Sequence, residues 1–225
     1  MPALGQLPPF LAGRGTEQER VRELLDGLAD RQQVGNDLIL YGPRGNGKTA
    51  LMEWALREAR ARGIGTLEYS SEEIESKEWL ARRLSGLPPW LRLLSGVSAL
   101  GFGVKLRESG ADPIVAALAR KTRKHPLLLA IDAGRALLLA AQRLRRMQFP
   151  VTLLLVETPA LRRQLHAMRT SFWGTCEILR LGLLRLDAAG DAIRIPMEAE
   201  GRSIAADALA QVVRESHGCP YFLRL

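Results

Sequence analysis

Residues 37–60 read DLILYGPRGNGKTALMEWALREAR, and the fold follows from this stretch. It opens with DLILY, a short apolar run of the length of a buried strand. From Ala50 onward, apolar residues recur at the spacing of one helix face. Three glycines, Gly42, Gly45 and Gly47, lie in the turn between them. A strand, a glycine-rich turn and a helix in direct succession indicate the start of an α/β fold.

The turn matches the pattern G-x-x-x-x-G-K-[ST], the phosphate-binding loop of P-loop NTPases. Glycines let the backbone curl around a phosphate, and the N–H groups that open the next helix attract the anion. We expect Lys48 to reach the β- and γ-phosphates and Thr49 to ligate Mg²⁺. The alternative, a glycine-rich turn that happens to precede a lysine, is disfavoured by the flanking strand and helix. The residues predicted to contact a nucleoside triphosphate here are Gly42, Pro43, Arg44, Gly45, Asn46, Gly47, Lys48, Thr49 and Ala50.

Size and charge set broad limits on the protein. A chain of 225 residues suits one large domain, or one domain plus part of another. The formal net charge of +8 favours an acidic partner such as nucleic acid or an anionic surface. Much of the excess is arginine on predicted helix faces, however, so solvated helix surfaces explain the charge equally well.

The sequence also indicates the compartment. Cys176 and Cys219 lie far apart without metal-type spacing, which fits a reducing interior. No apolar run reaches the ~18–20 residues needed to span a bilayer. The first ten residues contain neither the basic nor the apolar region of a secretion signal. We therefore predict a cytoplasmic protein that does not engage a membrane.

Apolar strands alternate with helices along the whole chain. Continuous apolar strands of this kind indicate a parallel sheet that is covered by helices on both faces. Thr16 is the predicted N-cap of the first helix, and Asp112, which precedes Pro113, is the predicted N-cap of the helix at 112–124. No function is assigned to residues 87–108. The predicted helices are 16–30, 73–85, 112–124, 134–147, 187–200 and 203–217, and the predicted strands are 37–41, 65–70, 126–132, 151–158 and 177–181.

Ligands of such sheets bind at the carboxyl ends of the strands. The glycine-rich turn, Asp132 and Thr158 all follow predicted strands, so we expect them to meet at one edge. An apolar strand that ends in aspartate, after a phosphate-binding loop, has the form of a Walker B element. Its carboxylate holds Mg²⁺ through water. The alternative for Asp132 is an ordinary aspartate in the turn after a strand.

At this point the chain resembles a family, the AAA+ ATPases of the origin-recognition type. It is also similar to the signal-transduction ATPases with numerous domains, and the resemblance covers nearly the whole chain. The motifs that carry it, in order, are Gly13-Arg14-x-x-Glu17, the glycine-rich loop 42–49, the strand ending in Asp132, Glu157-Thr158-Pro159 and Gly218-Cys219-Pro220-Tyr221.

The resemblance implies a P-loop NTPase domain over residues 1–184, with a three-layer parallel sheet. An α-helical lid would begin at 185–225, continue beyond Leu225 and be followed by a winged-helix or effector domain. The cofactors implied are ATP or ADP with Mg²⁺. Lys48, Asp132 and Thr158 are the implied catalytic residues, and Thr49 and Asp132 are the implied metal ligands.

The resemblance also assigns a pocket for the base. Thr158 would act as sensor 1 and detect the γ-phosphate, while Gly218 and Pro220 would touch the base or ribose. Taken without the family, the glycines at 13 and 218 and their neighbours are ordinary turn residues. The residues implied to line the adenine pocket are Phe10, Leu11, Gly13 and Arg14.

Two departures from the family pattern bear on catalysis. Relatives read Asp-Glu-Ala-His after the Walker B strand, whereas Ala133-Gly134-Arg135 follow Asp132 here. The chain passes from Asp132 into the next predicted helix in about two residues, so the loop that relatives carry here is either deleted or absent from this sequence. A true deletion would remove the general base, at a cost of about 10²–10⁴-fold in rate. Relatives also often carry an acidic residue and an arginine where Gly174 and Thr175 stand. An arginine acting in trans supplies about 10³–10⁵-fold, so its absence also weakens turnover.

The first functional hypothesis is therefore a Mg-ATP-binding AAA+ module that switches conformation or self-associates through its ATPase domain. The second is a nucleotide-binding scaffold that does not hydrolyse ATP, which the missing acid favours. The third is a small-molecule kinase, and the lid-like carboxyl-terminal helices argue against it. Nucleic acid is a separate candidate partner, motivated by the basic clusters at 120–124 and 143–146.

Overall fold

The described helices and strands follow one another in the order that the sequence predicts. The computed structural model describes residues 10–30, 37–69, 112–131, 135–157 and 176–224. The strands are β1 (Asp37–Tyr41), β2 (Gly65–Tyr69), β3 (Leu127–Ile131), β4 (Val151–Val156) and β5 (Cys176–Arg180). The helices are α1 (Gly15–Ala29), α2 (Lys48–Ala61), α3 (Pro113–Lys124), α4 (Arg135–Arg146), α5 (Leu186–Ala199) and α6 (Ala206–Ser216), followed by a 3-10 turn at Phe222–Arg224.

The described strands form one parallel sheet in the order β2-β3-β4-β1-β5. β1 lies between β4 and β5, and its Ile39 is in register with Leu155 on one side and Ile178 on the other. The carboxyl ends of β1, β4 and β3 therefore lie side by side at the same end of the sheet. This arrangement confirms the predicted fold class, a parallel α/β sheet with helices on both faces.

Side chains alternate between two cores on opposite faces of the sheet. Leu38 and Leu40 of β1 pack with α1 and α2, whereas Ile39 packs with α3 and α4. Every residue of β3 and of β4 is buried, as expected for strands covered on both faces. Each fully buried aliphatic side chain contributes about 1.5–3 kcal/mol relative to exposure. The sheet is therefore the stable frame from which the loops at its edges project.

A buried ion pair joins α4 to the amino-terminal end of β1. The carboxylate of Asp37 is fully buried, accepts a hydrogen bond from the backbone N–H of Leu153 (2.8 Å) and pairs with Arg145. Burial raises the pKa of Asp37, and the charge of Arg145 opposes that rise. Arg143, on the same helix, pairs with Asp112 at a more exposed position. Two arginines of the basic cluster at 143–146 are thus engaged within the fold.

The structure corrects one predicted helix cap and confirms another. Thr16 is not the N-cap of α1, because the helix begins at Gly15 after Arg14 and has no side-chain cap. Asp112 does cap α3, since its carboxylate accepts from the N–H of Ile114 at 3.0 Å. The last predicted helix begins at Ala206 rather than at 203.

Several predictions fall outside the described residues. These are the helix 73–85, the segment 87–108, Asp132 and Thr158. Among the helices that the structure does describe, none combines the length and the apolar character needed to cross a membrane.

Candidate phosphate-binding site

The glycine-rich loop leaves the carboxyl end of β1 and turns into α2 at Lys48. Gly45 (φ +91°) and Gly47 (φ +82°) both adopt left-handed backbone conformations that other residues resist. Gly47 is the N-cap of α2, and no side chain caps the helix there. The first N–H groups of a helix have no intrahelical acceptor, and they carry the positive end of the helix dipole. The loop therefore presents backbone donors suited to an anion.

Lys48 lies against this loop. Its ammonium Nζ donates to the carbonyl oxygens of Gly42 (2.6 Å) and Pro43 (2.9 Å). Partial burial lowers the pKa of Lys48, and the negative charge of Glu157 opposes that shift. Glu157 follows β4, where its backbone N–H donates to the carbonyl of Leu40 at 2.9 Å. The carboxylate of Glu157, just after the neighbouring strand, thus favours the charged form of Lys48.

Two further carbonyl groups of the loop are bound by distant parts of the chain. The guanidinium Nη2 of Arg14 donates to the carbonyl of Asn46 at 3.1 Å, and the backbone N–H of Tyr221 donates to that of Gly45 at 3.2 Å. Arg14 is only 7% exposed, and its Nη1 also pairs with Glu17. The loop is therefore held from both ends of the described chain.

Residues 181–184, which we call the connector, link β5 to the segment before α5 and run against the same loop. The side-chain amide of Asn46 is buried and donates to the carbonyl of Leu181 at 2.9 Å. A Cβ on Gly42 would lie 2.4 Å from that carbonyl oxygen, so only glycine permits this approach. Leu181 also donates its N–H to the carbonyl of Tyr41 at 2.7 Å. The connector thus continues the β1–β5 pairing beneath the loop.

The Gly-x-Pro turn packs onto the connector and the loop. The N–H of Leu184 donates to the carbonyl of Gly218 (2.8 Å), and a Cβ on Gly218 would lie 2.3 Å from the carbonyl oxygen of Leu184. Cys219 and Tyr221, on either side of Pro220, lie next to Gly45. The structure therefore brings the predicted turn to the predicted loop.

The remaining predicted site residues are placed as follows. Thr49 is exposed on the first turn of α2, next to Ala50, and Arg44 is exposed on the loop. Gly13 (φ +62°) packs against α5, since a Cβ there would lie 2.6 Å from that of Ala188. Leu11 and Pro220 are partly buried, and Phe10 is exposed. The predicted roles of Asp132 and Thr158 stay predictions.

The connector and the backbone of Tyr221 are site components that the sequence analysis missed. Their contacts are made by backbone N–H and carbonyl groups, which any residue supplies. The connector reads Leu181-Gly182-Leu183-Leu184, an apolar run without any functional pattern. Only Gly182 hints at a turn or a close approach.

Comparison with solved structures identifies the fold. The Orc1 protein of Aeropyrum pernix, solved in complex with DNA, matches with a TM-score of 0.61 and 20% identity over 96% of this chain and 59% of that chain. The RuvB Holliday junction branch migration motor of Thermotoga maritima matches with a TM-score of 0.59 and 16% identity over 94% and 59%. AMPPCP-bound DnaA of Aquifex aeolicus matches with a TM-score of 0.59 and 16% identity over 98% and 62%.

These matches confirm the predicted fold and, at the level of fold, the resemblance to origin-recognition proteins. The chain spans about three-fifths of the length of each of these structures. No protein-family model and no curated protein matches the chain.

Proposed function

We propose that this chain is an AAA+ P-loop module that binds Mg-ATP at residues 42–49 and switches conformation or assembly with the nucleotide. The observation that carries the proposal is the loop itself. Left-handed glycines, an uncapped α2 N-terminus and Lys48 lie together at the carboxyl edge of a parallel sheet. This combination supplies backbone donors, a helix dipole and a cation for one polyphosphate.

The residues of the loop would contact different parts of the bound Mg-ATP. The N–H groups that open α2 would donate to the phosphates, and Lys48 would leave its two carbonyl partners to reach the β- and γ-phosphates. Thr49 is exposed on the first turn of α2 and carries a hydroxyl, so its position and chemistry fit a ligand of Mg²⁺. Asp132, directly after β3, would support the metal through water. The metal would neutralise charge on the phosphates.

The proposal extends to a base pocket and a lid. Leu11, Gly13 and Pro220 would contact the adenosine moiety, and α5 and α6 would form the start of a helical lid over residues 185–225. The packing of Gly13 against Ala188 supports this division, because it joins the segment before α1 to the first lid helix. DnaA, one of the proteins with this fold, was solved bound to AMPPCP.

Hydrolysis divides the proposal into two candidates. The sequence Ala133-Gly134-Arg135 supplies no acid next to Asp132, which favours a scaffold that binds ATP without turning it over. The phosphate-binding loop favours turnover, because Lys48 and Thr49 are the residue types that hold the phosphates and Mg²⁺ in P-loop NTPases. Steady-state release of phosphate separates the two. Turnover that Lys48→Ala abolishes supports an ATPase, and tight binding without turnover supports the scaffold.

Equilibrium binding of ATP tests the proposal as a whole. We expect Lys48→Ala to weaken ATP binding strongly, because a charge-assisted bond to phosphate is lost. Lys121→Ala, which removes the same charge from α3, is the matched control and should leave the affinity unchanged. Equal affinities for the wild type and Lys48→Ala would refute the proposed site.

We propose two kinds of partner for this chain, namely nucleic acid and further copies of the chain itself. Orc1, which shares the fold, was solved in complex with DNA, and the chain carries a net charge of +8. Arg143 and Arg145 are paired within the fold, which leaves exposed side chains such as Arg120, Arg123 and Arg146 as candidate contacts. DNA affinity that falls steeply with salt supports this interaction, and indifference to salt refutes it. Sedimentation with and without ATP tests self-association.

A further inference from the structure

The phosphate-binding loop needs support behind its phosphate-facing donors. A loop that turns its N–H groups toward one ligand turns carbonyl groups the other way, and buried carbonyl groups require donors. Arg14 meets that need with a charged donor. Its Nη2 donates to the carbonyl of Asn46 at 3.1 Å and to that of Gly182 at 2.6 Å. One guanidinium nitrogen therefore joins the loop to the connector.

Asn46 closes the same network from the side of the loop. Its side chain is 2% exposed and donates to the carbonyl of Leu181 at 2.9 Å, while Arg44 and Thr49 nearby are exposed. The amide of Asn46 is thus committed to the connector and not to solvent. Arg14 and Asn46 contact each other, and each also contacts the connector.

The connector carries this network on to the carboxyl-terminal helices. Leu184 donates its N–H to the carbonyl of Gly218, in the turn that follows α6. Tyr221, three residues later, donates back to the carbonyl of Gly45 in the loop. Loop, connector and turn therefore form a closed circuit of hydrogen bonds. The loop therefore contacts the segments that precede α5 and follow α6.

We propose that Arg14 and Asn46 are positioning residues that form a clamp between the phosphate-binding loop and the connector. The clamp holds the loop in the shape that binds polyphosphate, and it couples that shape to the position of α5 and α6. The inference rests on the proposed function. Because binding and position are linked equilibria, occupancy of the loop stabilises the connector, and a docked connector raises affinity for polyphosphate.

The family resemblance implies that Arg14 lines the adenine pocket. The clamp is a different role, because it acts on the shape of the loop and not on the base. A residue that reads the base acts on ATP but not on inorganic tripolyphosphate, which has no base. A residue that shapes the loop acts on both ligands alike. Tripolyphosphate therefore separates the two roles.

The test measures affinities of ATP and tripolyphosphate for the wild type, Arg14→Ala, Asn46→Ala and the double variant. We expect each single variant to lose about tenfold in affinity for both ligands, as for one charge-assisted or buried hydrogen bond. The double variant should lose less than the sum, because the two residues act through one network. Arg20→Ala is the matched control, since Arg20 lies on α1, six residues after Arg14, and binds Glu177 of β5 at an exposed position. It should bind both ligands as the wild type does.

Hydrogen exchange of the wild type provides a second test that does not depend on the folding of any variant. Tripolyphosphate should slow exchange at the connector and at 218–221 as well as in the loop, and it should leave β2 unchanged. Protection confined to residues 42–50 would overturn the clamp, as would unchanged affinity in both single variants. So would a loss at Arg14→Ala for ATP alone. If the wild type and Lys48→Ala bind tripolyphosphate equally, the proposed function itself fails.

Discussion

Raising the pH should weaken nucleotide binding through Lys48, at a lower pH than for an ordinary lysine. Partial burial against the loop disfavours the charged ammonium, so the pKa of Lys48 lies below the usual lysine value of about 10.4. A lowered pKa means that the proton is released earlier as the pH rises. As the pH rises, the affinity of the protein for ATP should therefore begin to fall at a lower pH than it would with a lysine of ordinary pKa.

The size of the effect follows from the bond that is lost. A protonated Lys48 would donate a charge-assisted hydrogen bond to a phosphate oxygen, and such a bond is worth about 1.5–3 kcal/mol. At about 1.4 kcal/mol for each factor of ten, the dissociation constant should rise by about 10–150-fold once Lys48 is neutral. The carbonyls of Gly42 and Pro43, which accept from the ammonium in this structure, would then face a neutral amine, which is a weaker donor.

The assay is equilibrium binding of a fluorescent ATP analogue between pH 7 and 10.5. Lys48→Arg is the control, because a guanidinium stays protonated over this range and its affinity should not depend on pH in this way. A wild-type profile as flat as that of Lys48→Ala would refute the reasoning. It would mean that the charge at position 48 does not act on the ligand.

Three further predictions concern the frame and the site. Arg145→Met should lower the free energy of unfolding by about 3–5 kcal/mol, because it leaves the buried Asp37 carboxylate without its ion-pair partner. Arg143→Met, at the exposed pair, should lower it by only about 0–1 kcal/mol. Equal losses measured by chemical denaturation would contradict the difference in burial between the two pairs. Glu157→Gln should move the pH at which ATP affinity falls to a lower value, because the charge that raises the pKa of Lys48 is removed. An unchanged or higher midpoint would be inconsistent with that electrostatic effect. Gly27→Ala should stabilise the protein by about 0.5–1 kcal/mol, since Gly27 lies inside α1 with open space around its Cβ position, and a lower melting temperature would argue against that space.

The sheet and its helices were predictable because burial leaves a pattern. Strands such as LLLAI and VTLLLV are apolar at almost every position, which only a strand covered on both faces requires. The cap at Asp112 was predictable for a similar reason, because a side-chain acceptor precedes Pro113. Thr16 has the right chemistry for a cap, but α1 starts at Gly15, and the cap position is Arg14, two residues earlier. A local cap preference is weaker than the packing that sets where a helix begins.

The loop was predictable because phosphate binding demands glycines and a lysine at fixed positions. The support behind the loop was not predictable. The hydrogen bonds from Arg14 and Asn46 end on carbonyl groups of Leu181 and Gly182, and carbonyl groups leave no mark in a sequence. Asn46 in particular reads as one more loop residue until its buried amide is seen to bind the connector.

A crystal structure with a non-hydrolysable ATP analogue is the measurement that tests the central claim most directly. We predict that the triphosphate lies against the backbone N–H groups of residues 45–49. We also predict that the Nζ of Lys48 moves from the carbonyls of Gly42 and Pro43 to the phosphates. A triphosphate bound elsewhere, or a Lys48 ammonium that remains on those carbonyls with the ligand in place, would contradict the account.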